Sequence, residues 1–210
     1  MPRRIRHHVN PLKLRFADGS GARLALPPGR PVEVELGCAE AEFLFARAAV
    51  DSAPLYVGLE IRADFIGRVN RQARLLGVPV TAVFANINAD LGTLFPASSV
   101  KRFFLNFPDP WFKRRHHKRR VLTGAMVQTL GERLVPGGEV FFQSDVFDLA
   151  LDAMAALEDA APRLVNVAGA WAFTRDNPFG SRSKRERQSE ARGRRVWRLW
   201  YRRPVEISGS

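Results

Sequence analysis

The sequence predicts an α/β fold with a mostly parallel central sheet and helices on both faces. Short apolar segments alternate with longer segments of helical periodicity along residues 31–157, and the connections between them are short. The segment Val100–Leu105 (VKRFFL) is almost entirely apolar after its charges, as is typical of a strand buried on both faces. At 210 residues and 46% hydrophobic content, the chain can bury the core of one full-sized domain.

Five segments have strand character, and each is followed by glycine, proline or polar residues. The first, VEVEL, ends at Gly37, and the second, LYVGL, is followed directly by Glu60. Alternation with helices makes these strands parallel neighbours in one sheet. The predicted strands are Val32–Leu36, Leu55–Leu59, Val80–Phe84, Val100–Leu105 and Glu139–Gln143.

Four segments between the strands have apolar residues at helical spacing. The predicted helices are Glu40–Val50, Ala63–Leu76, Leu122–Leu134 and Val146–Leu157. The tail is interpreted as a loop at WAFTRDNPFG (171–180), followed by late strands at RRVWRLWYRR (194–203). The predicted organisation is a basic N-terminal arm and linker over residues 1–30, followed by a single domain over 31–210.

Positive charge is concentrated in two blocks. The chain has 33 Lys and Arg against 21 Asp and Glu, which gives a net charge of +12. The block Lys113–Arg120 holds six of the cations, and Arg182–Arg203 holds ten more. Clustering of this kind favours binding to a nucleic-acid phosphate backbone over binding to an acidic membrane surface.

Other features narrow the class of protein. The only cysteine, Cys38, excludes an intramolecular disulfide and fits a reducing compartment. There is no apolar run of about 18 residues and no secretory h-region at the N-terminus, so we expect a cytoplasmic protein with no membrane partner. Histidines, Cys38 and the acidic residues show no metal-ligand spacing, and we expect no metal.

Polar side chains follow three of the predicted strands. Glu35 and Gly37 lie at the end of the first strand, Glu60 follows the second, and Asn88 and Asp90 follow the third. Ligands of such sheets bind outside the carboxyl ends of the strands, where an acidic side chain can accept from ribose hydroxyls. The pattern therefore predicts an adenosine pocket.

The type of adenosine cofactor follows from what the glycine turn lacks. The segment GCAEA has neither GxGxxG nor the Gly-Lys-Ser/Thr of a Walker loop. S-adenosylmethionine carries no phosphate and needs no pyrophosphate cradle, so a methyltransferase is favoured. Cys38 in this turn is interpreted as a packing residue rather than a nucleophile.

The stretch NFPDPWFKRRHHKRR follows the fourth strand, where reacting groups should lie. Two prolines fix the backbone on either side of Asp109, and Trp111 offers a flat wall for a base. Asp109 is therefore the candidate catalytic carboxylate. Trp197, Trp200 and Tyr201 could stack on bases, although core packing is favoured for them.

This stretch resembles the signature of the bacterial tRNA (guanine-N(7)-)-methyltransferase family, whose pattern is close to FPDPWxKxRHxKRR. ELG, GLE, VPGG, SD and SKRE follow in the family's order, so that the resemblance covers roughly residues 30–203. It implies a Rossmann-like class I methyltransferase fold, S-adenosylmethionine as cofactor and tRNA as substrate. The implied reaction is methyl transfer to N(7) of the variable-loop guanine at position 46.

The resemblance also implies roles for individual residues. The implied cofactor-binding residues are Glu35, Gly37, Glu60, Asn88 and Asp109, and Asp109 is also the catalytic residue. The implied substrate-binding residues are Lys113, Asp145, Ser183 and Glu186. The cations expected to contact the RNA backbone are Arg114, Arg115, Lys118, Arg119 and Arg120.

Four positions depart from the family's pattern. Asn88 stands where an aspartate is common, and Arg185 replaces an aromatic residue in SKRE. Ala39 and Ala41 stand where the family usually has glycines, and their Cβ atoms are expected to crowd the methionine moiety or to resist a positive φ.

Three alternatives stay open. One is a non-catalytic RNA-binding protein on a methyltransferase scaffold. Another is a methyltransferase of a different RNA or of DNA, and a nicotinamide-dependent dehydrogenase is the most distant. The protein could be a monomer or a homodimer.

Overall fold

The computed structural model describes residues 23–109, 122–160 and 162–205. Its strands are β1 (Val32–Leu36), β2 (Leu55–Glu60), β3 (Val80–Phe84), β4 (Val100–Asn106), β5 (Leu134–Ser144), β6 (Val165–Asn166) and β7 (Trp197–Arg202). Its helices are α1 (Glu42–Val50), α2 (Ala63–Leu76), α3 (Ile87–Leu94), α4 (Gly124–Arg133), α5 (Phe147–Glu158) and α6 (Lys184–Ala191).

The seven strands form one sheet in the order β3-β2-β1-β4-β5-β7-β6. Strands β1 to β5 are parallel, whereas β7 runs antiparallel to both β5 and β6. The chain moves outward from β1 to β3 and then returns to place β4 on the other side of β1. This reversal opens a crevice at the carboxyl ends of β1 and β4, the usual ligand-binding point of such sheets.

Helices cover both faces of the sheet, and each face has its own core. Phe103 and Phe142 point into the cluster formed with α3, α4 and α5. Phe104 and Phe141 point to the opposite face, where they pack with α1, α2 and Phe179. This division follows from the alternation of side chains along a strand. The α/β prediction, with its mostly parallel sheet, is confirmed.

All five predicted strands and all four predicted helices are present, with small shifts in their ends. The strand predicted at Glu139–Gln143 begins earlier, at Leu134, because VPGG continues along β4 with a register shift opposite Val100 and Arg102. Gly137 has φ +76°, a conformation that glycine adopts without strain.

Helices α3 and α6 were not predicted, and both begin at capping side chains. Asn86 caps α3 by accepting from the backbone N–H of Asn88. Ser183 caps α6 in a reciprocal capping box with Glu186. No secondary structure was predicted for SKRE, because the helix that this cap starts has little apolar periodicity.

No helix in the described part of the chain is long and apolar enough to cross a membrane. Within the same residues, no group of three or more His, Cys, Asp and Glu side chains could hold a metal ion. From the predicted N-terminal arm, Leu24 and Leu26 pack against the core, and the Leu24 N–H donates to the carbonyl of Leu94.

Candidate active site

Glu35 lies at the crevice with one unsatisfied carboxylate oxygen. Its Oε1 accepts from Asn106 Nδ2 at 2.8 Å, while its buried Oε2 has no hydrogen-bond partner among the described residues. Burial raises the pKa of Glu35 to about 8; the Asn106 hydrogen bond opposes this shift and the nearby Glu60 charge adds to it. Glu35 therefore holds a proton at neutral pH and would release it beside a cationic ligand.

The turn after β1 uses three residues with positive φ. Gly37 has φ +82°, Ala39 +49° and Ala41 +54°. The backbone N–H of Ala39 donates to Glu60 Oε2 at 2.9 Å, and those of Gly37 and Cys38 donate to the carbonyl of Leu59. Both alanines thus adopt the left-handed conformation that they were expected to resist, at an energetic cost that glycine would avoid.

Cys38 is a buried packing residue of this turn. A Cβ added at Gly58 would come within 2.8 Å of the Cys38 Cβ, so the lack of a side chain on β2 gives Cys38 its space. Burial raises the thiol pKa, and the carboxylates of Glu35 and Glu60 raise it further. A thiol in these surroundings is a poor nucleophile.

Glu60, at the end of β2, is buried and fully engaged. It accepts backbone hydrogen bonds from Ala39, Ile61 and Arg62. The Arg62 guanidinium also pairs with both of its oxygens at 3.0 Å. The hydrogen bond to Glu60 is the main reason why the pKa of Arg62 is raised, and the charge of Asp109 adds to the shift. The negative charges of the Glu60 and Asp109 carboxylates therefore both stabilise the protonated form of Arg62.

Asp109 is exposed and follows a backbone outlier. Phe107 donates its N–H to the carbonyl of Gln143 at 2.8 Å, which prolongs the pairing of β4 with β5. Its φ of +52° is rare for an aromatic residue and turns the chain out of the sheet toward Asp109. Trp111 and the predicted RNA-contacting residues lie outside the described part of the chain. These are Lys113, Arg114, Arg115, Lys118, Arg119 and Arg120.

The residues predicted near an adenine lie at the start of α3. Asn88 is exposed. Asp90 Oδ2 instead accepts from the backbone N–H of Asn86 at 2.7 Å. Of the two, Asn88 is therefore the side chain exposed to a ligand.

A chain of two side-chain amides, those of Asn106 and Gln143, links Glu35 to Glu186. Asn106 Oδ1 accepts from Gln143 Nε2 at 2.8 Å, and the same Nε2 donates to Glu186 Oε2 at 3.1 Å. Gln143 is completely buried, and its Oε1 has no partner among the described residues. Sequence reasoning missed Asn106 and Gln143, although a polar residue at the end of a buried apolar strand was the available signal.

The predicted substrate residues Asp145, Ser183 and Glu186 all hold α6 against the sheet. Asp145 accepts from Arg185 Nη2 at 2.9 Å and from Ser189 Oγ at 3.1 Å. Glu186, which is fully buried, accepts from Arg198 Nη2 at 2.8 Å. The structure brings these side chains to the carboxyl edge of the sheet, but their oxygens bind other parts of the protein.

Comparisons with known proteins find similar sequences over most of the chain. A family model described as "Putative methyltransferase" matches residues 29–199. A Synechococcus sp. (strain JA-3-3Ab) protein named tRNA (guanine-N(7)-)-methyltransferase is 34% identical over 209 residues, covering 95% of this chain and 86% of its own. A protein of the same name from Thermosynechococcus vestitus is 39% identical over 152 residues, 70% of this chain and 71% of its own.

Solved structures share the fold at low sequence identity. The aminoglycoside resistance methyltransferase NpmB1 is 20% identical, with a TM-score of 0.57 over 83% of this chain and 87% of its own. A geranyl diphosphate methyltransferase solved with S-adenosylmethionine is 14% identical, with a TM-score of 0.52 over 84% of this chain and 79% of its own. At this identity the likeness establishes the Rossmann-like methyltransferase fold alone.

Proposed function

Because the chain belongs to the bacterial tRNA (guanine-N(7)-)-methyltransferase family, we propose that it methylates N(7) of the variable-loop guanine at position 46 of tRNA. S-adenosylmethionine is the cofactor, and it supplies an electrophilic methyl group on a positively charged sulfur. The observation that carries the proposal is the gathering of Glu35, Glu60 and Asp109 around the crevice of the sheet.

The residues at the crevice fit a cationic adenosine cofactor. Glu35 offers a buried oxygen without a partner, and the positive charge of a bound cofactor would stabilise its ionised form. Gly37 leaves open space above the turn, since a Cβ placed there would meet nothing within 4 Å. Glu60 would accept from the ribose hydroxyls and Asn88 from the adenine amino group.

The chain's part in the reaction is alignment and charge stabilisation. Guanine N(7) is an unprotonated acceptor on the major-groove edge of the base, so no general base is required. Positive charge develops on the guanine, and the Asp109 carboxylate stabilises it. Holding the base in line can lower the barrier by about 7–11 kcal/mol in favourable cases.

Residues 31–210 form the methyltransferase domain in this proposal, and the cations of residues 113–120 hold the RNA backbone. Lys113 and Asp145 contact the tRNA, which requires Asp145 to exchange its Arg185 partner for the substrate. Ser183 and Glu186 keep the start of α6 at the edge of the site.

The test uses unmodified tRNA transcript and methyl-labelled S-adenosylmethionine, with the nucleosides separated by chromatography. Label in 7-methylguanosine is expected for the wild-type transcript, and none when the guanine at position 46 is replaced by adenine. Label that persists in the altered transcript contradicts the position. A complete lack of label, despite salt-sensitive tRNA binding, favours the non-catalytic RNA-binding protein instead.

A further inference from the structure

A cavity opens near Asp145, one of the predicted substrate-binding residues. It has a volume of about 440 Å³ and lies between residues 173–175, the end of α6 and the start of β7. Trp197, at its wall, pairs with Ser144 at the carboxyl end of β5. Arg194 at the same cavity lies 3.8 Å from the Asp145 carboxylate. The cavity is therefore on the same edge of the sheet as the crevice, and the proposed reaction does not use it.

The charge of this cavity favours an anion. Its lining contains four arginines, Arg175, Arg194, Arg195 and Arg198, and one acid, Glu190. Glu190 is already paired with Arg198 at 2.9 Å and with Arg182 at 3.3 Å. In the described part of the chain, neither Arg175 nor Arg195 has a carboxylate partner.

Two buried polar atoms on the lining residues lack partners among the described residues. They are Thr174 Oγ1 and Arg198 Nε. The two residues face each other across an isolated antiparallel bridge. Arg198 is only 7% exposed, and its two terminal nitrogens are held by Glu186, Glu190 and the carbonyl of Arg175. Leaving such groups unsatisfied costs free energy, which an oxygen-bearing ligand would recover.

The cavity also offers a flat cationic surface. The Arg195 guanidinium lies 4.1 Å from the centroid of the Trp197 ring. Phe147 and Phe173 pack against the same indole at 4.5 and 4.9 Å between ring centroids. Unstacked RNA bases stack on aromatic rings and on guanidinium planes of this kind. Trp197 is thus half-buried in an aromatic cluster while still lining the cavity.

We propose that this cavity binds a nucleotide of the tRNA other than the guanosine that is methylated. Thr174 Oγ1, Arg198 Nε and Arg175 hold its phosphate, and its base stacks on Arg195. The inference rests on the proposed function, because it gives the same tRNA a second anchoring point next to the site. The volume suits a single small ligand, since ligand cavities start at about 300 Å³.

The test compares the cavity with a matched surface at the other edge of the sheet. The cavity variants are Thr174→Val and the double variant Arg175→Gln with Arg195→Gln. The control is Arg71→Gln with Arg74→Gln, two exposed residues on α2, which packs against the opposite edge strand β3. Both double variants remove two positive charges. Affinity for fluorescent tRNA transcript is measured by anisotropy over a range of salt concentrations.

We expect the cavity double variant to bind tRNA at least about tenfold more weakly. The slope of log K against log salt should become shallower by about 0.7–0.9 for each phosphate that the variant no longer neutralises. Thr174→Val should weaken binding severalfold without lowering the melting temperature, because it removes an unsatisfied hydroxyl at nearly constant volume. The KM for tRNA should rise, with kcat retained. Equal losses in the control pair, or unchanged affinity in Thr174→Val, would overturn the inference.

The same measurements separate this inference from the proposed function. A wild-type protein that binds tRNA but forms no 7-methylguanosine contradicts the proposed function. The role of the cavity in tRNA binding is then tested by the affinity measurements alone. A wild-type protein that forms 7-methylguanosine, with cavity variants that bind tRNA normally, contradicts the cavity alone.

Discussion

Arg62 covers Glu60 with a two-point contact. Its Nε lies 3.0 Å from Oε1 and its Nη2 lies 3.0 Å from Oε2. The guanidinium is also 4.2 Å from the centroid of the Phe65 ring, which holds it in place. Ribose hydroxyls that reach Glu60 must therefore replace this arginine. Arg62 is 37% exposed, so that the exchange has a short path to solvent.

Replacing Arg62 by leucine should tighten S-adenosylmethionine binding by about 1.4- to fivefold. The gain corresponds to the ~0.2–1 kcal/mol of a partly exposed ion pair that no longer has to be broken. Glu60 keeps its three backbone donors in this variant. Titration calorimetry measures the effect, with Arg68→Leu, at an exposed position of helix α2, as the control. Weaker binding in Arg62→Leu would show that the arginine contributes to the cofactor site.

Cofactor binding should release a proton from Glu35. With a pKa of about 8, the free protein holds that proton at neutral pH, and a cationic ligand favours the ionised form. Affinity should therefore rise with pH up to about 8 and level off above it. Calorimetry in buffers of different ionisation enthalpy should report close to one proton released at pH 7. A Glu35→Gln variant should lose this pH dependence, and unchanged proton release in it would refute the assignment.

Glu35 should also make the free protein less stable as pH rises. Its pKa is raised from 4.5 to about 8, so that between these values the folded state binds more protons than the unfolded state. The free energy of unfolding then falls from pH 4.5 to 8, and the loss from this group is complete above pH 8. Urea unfolding of Glu35→Gln should show a flatter profile over this range. A parallel profile in wild type and variant would contradict the shift.

The parallel sheet could be predicted because the strand and helix segments of the sequence differ sharply in hydrophobic period. Glu35, Glu60 and Asp109 could then be identified as candidate site residues, because each lies at or just after the end of a predicted strand. The sequence could not reveal Arg62 as a partner of Glu60, because that contact depends on side-chain direction. Helix α6 was missed because KRERQSEA has no apolar stripe, although the Ser183 and Glu186 spacing of a capping box was visible. Gln143 was missed because its amide contacts Asn106 and Glu186, which lie far from it in the sequence.

The two alanines of the first turn should respond differently to glycine. Positive φ costs an alanine roughly 1–2 kcal/mol, whereas glycine costs ~0.4–1 kcal/mol through the greater freedom of the unfolded chain. Ala39→Gly should therefore raise the free energy of unfolding by about 0.5 kcal/mol. Ala41 is fully buried, and losing its methyl group costs about 0.8 kcal/mol, so that Ala41→Gly should be neutral or slightly destabilising. Urea unfolding at one pH tests both, and a loss of stability in Ala39→Gly would contradict the strain.

Replacing Glu186 should lower the free energy of unfolding more than it weakens tRNA binding. Glu186→Gln removes the charge opposite buried Arg198, a change that costs about 3–5 kcal/mol where no other partner exists. Glu190 still pairs with Arg198, so a loss of roughly 2–3 kcal/mol is expected here. Glu190→Gln, at a half-exposed position, should cost less than about 1 kcal/mol. A Glu186→Gln variant with normal stability and a raised KM for tRNA would instead assign it to substrate binding.

Asp109 is exposed after the strained turn at Phe107, so its replacement by asparagine should leave the fold and melting temperature unchanged. Asparagine keeps the shape but cannot offset positive charge on the guanine, and kcat should fall by about 10²–10³-fold at saturating cofactor. The matched control is Asp159→Asn, because Asp159 ends α5 far along the helix from the carboxyl edge where that helix begins. Measuring 7-methylguanosine formation at saturating S-adenosylmethionine separates a loss of catalysis from a loss of cofactor affinity. If Asp109→Asn retained the rate of the control, charge stabilisation would have to come from another carboxylate, and Glu35, once ionised by the bound cofactor, would be the next to replace.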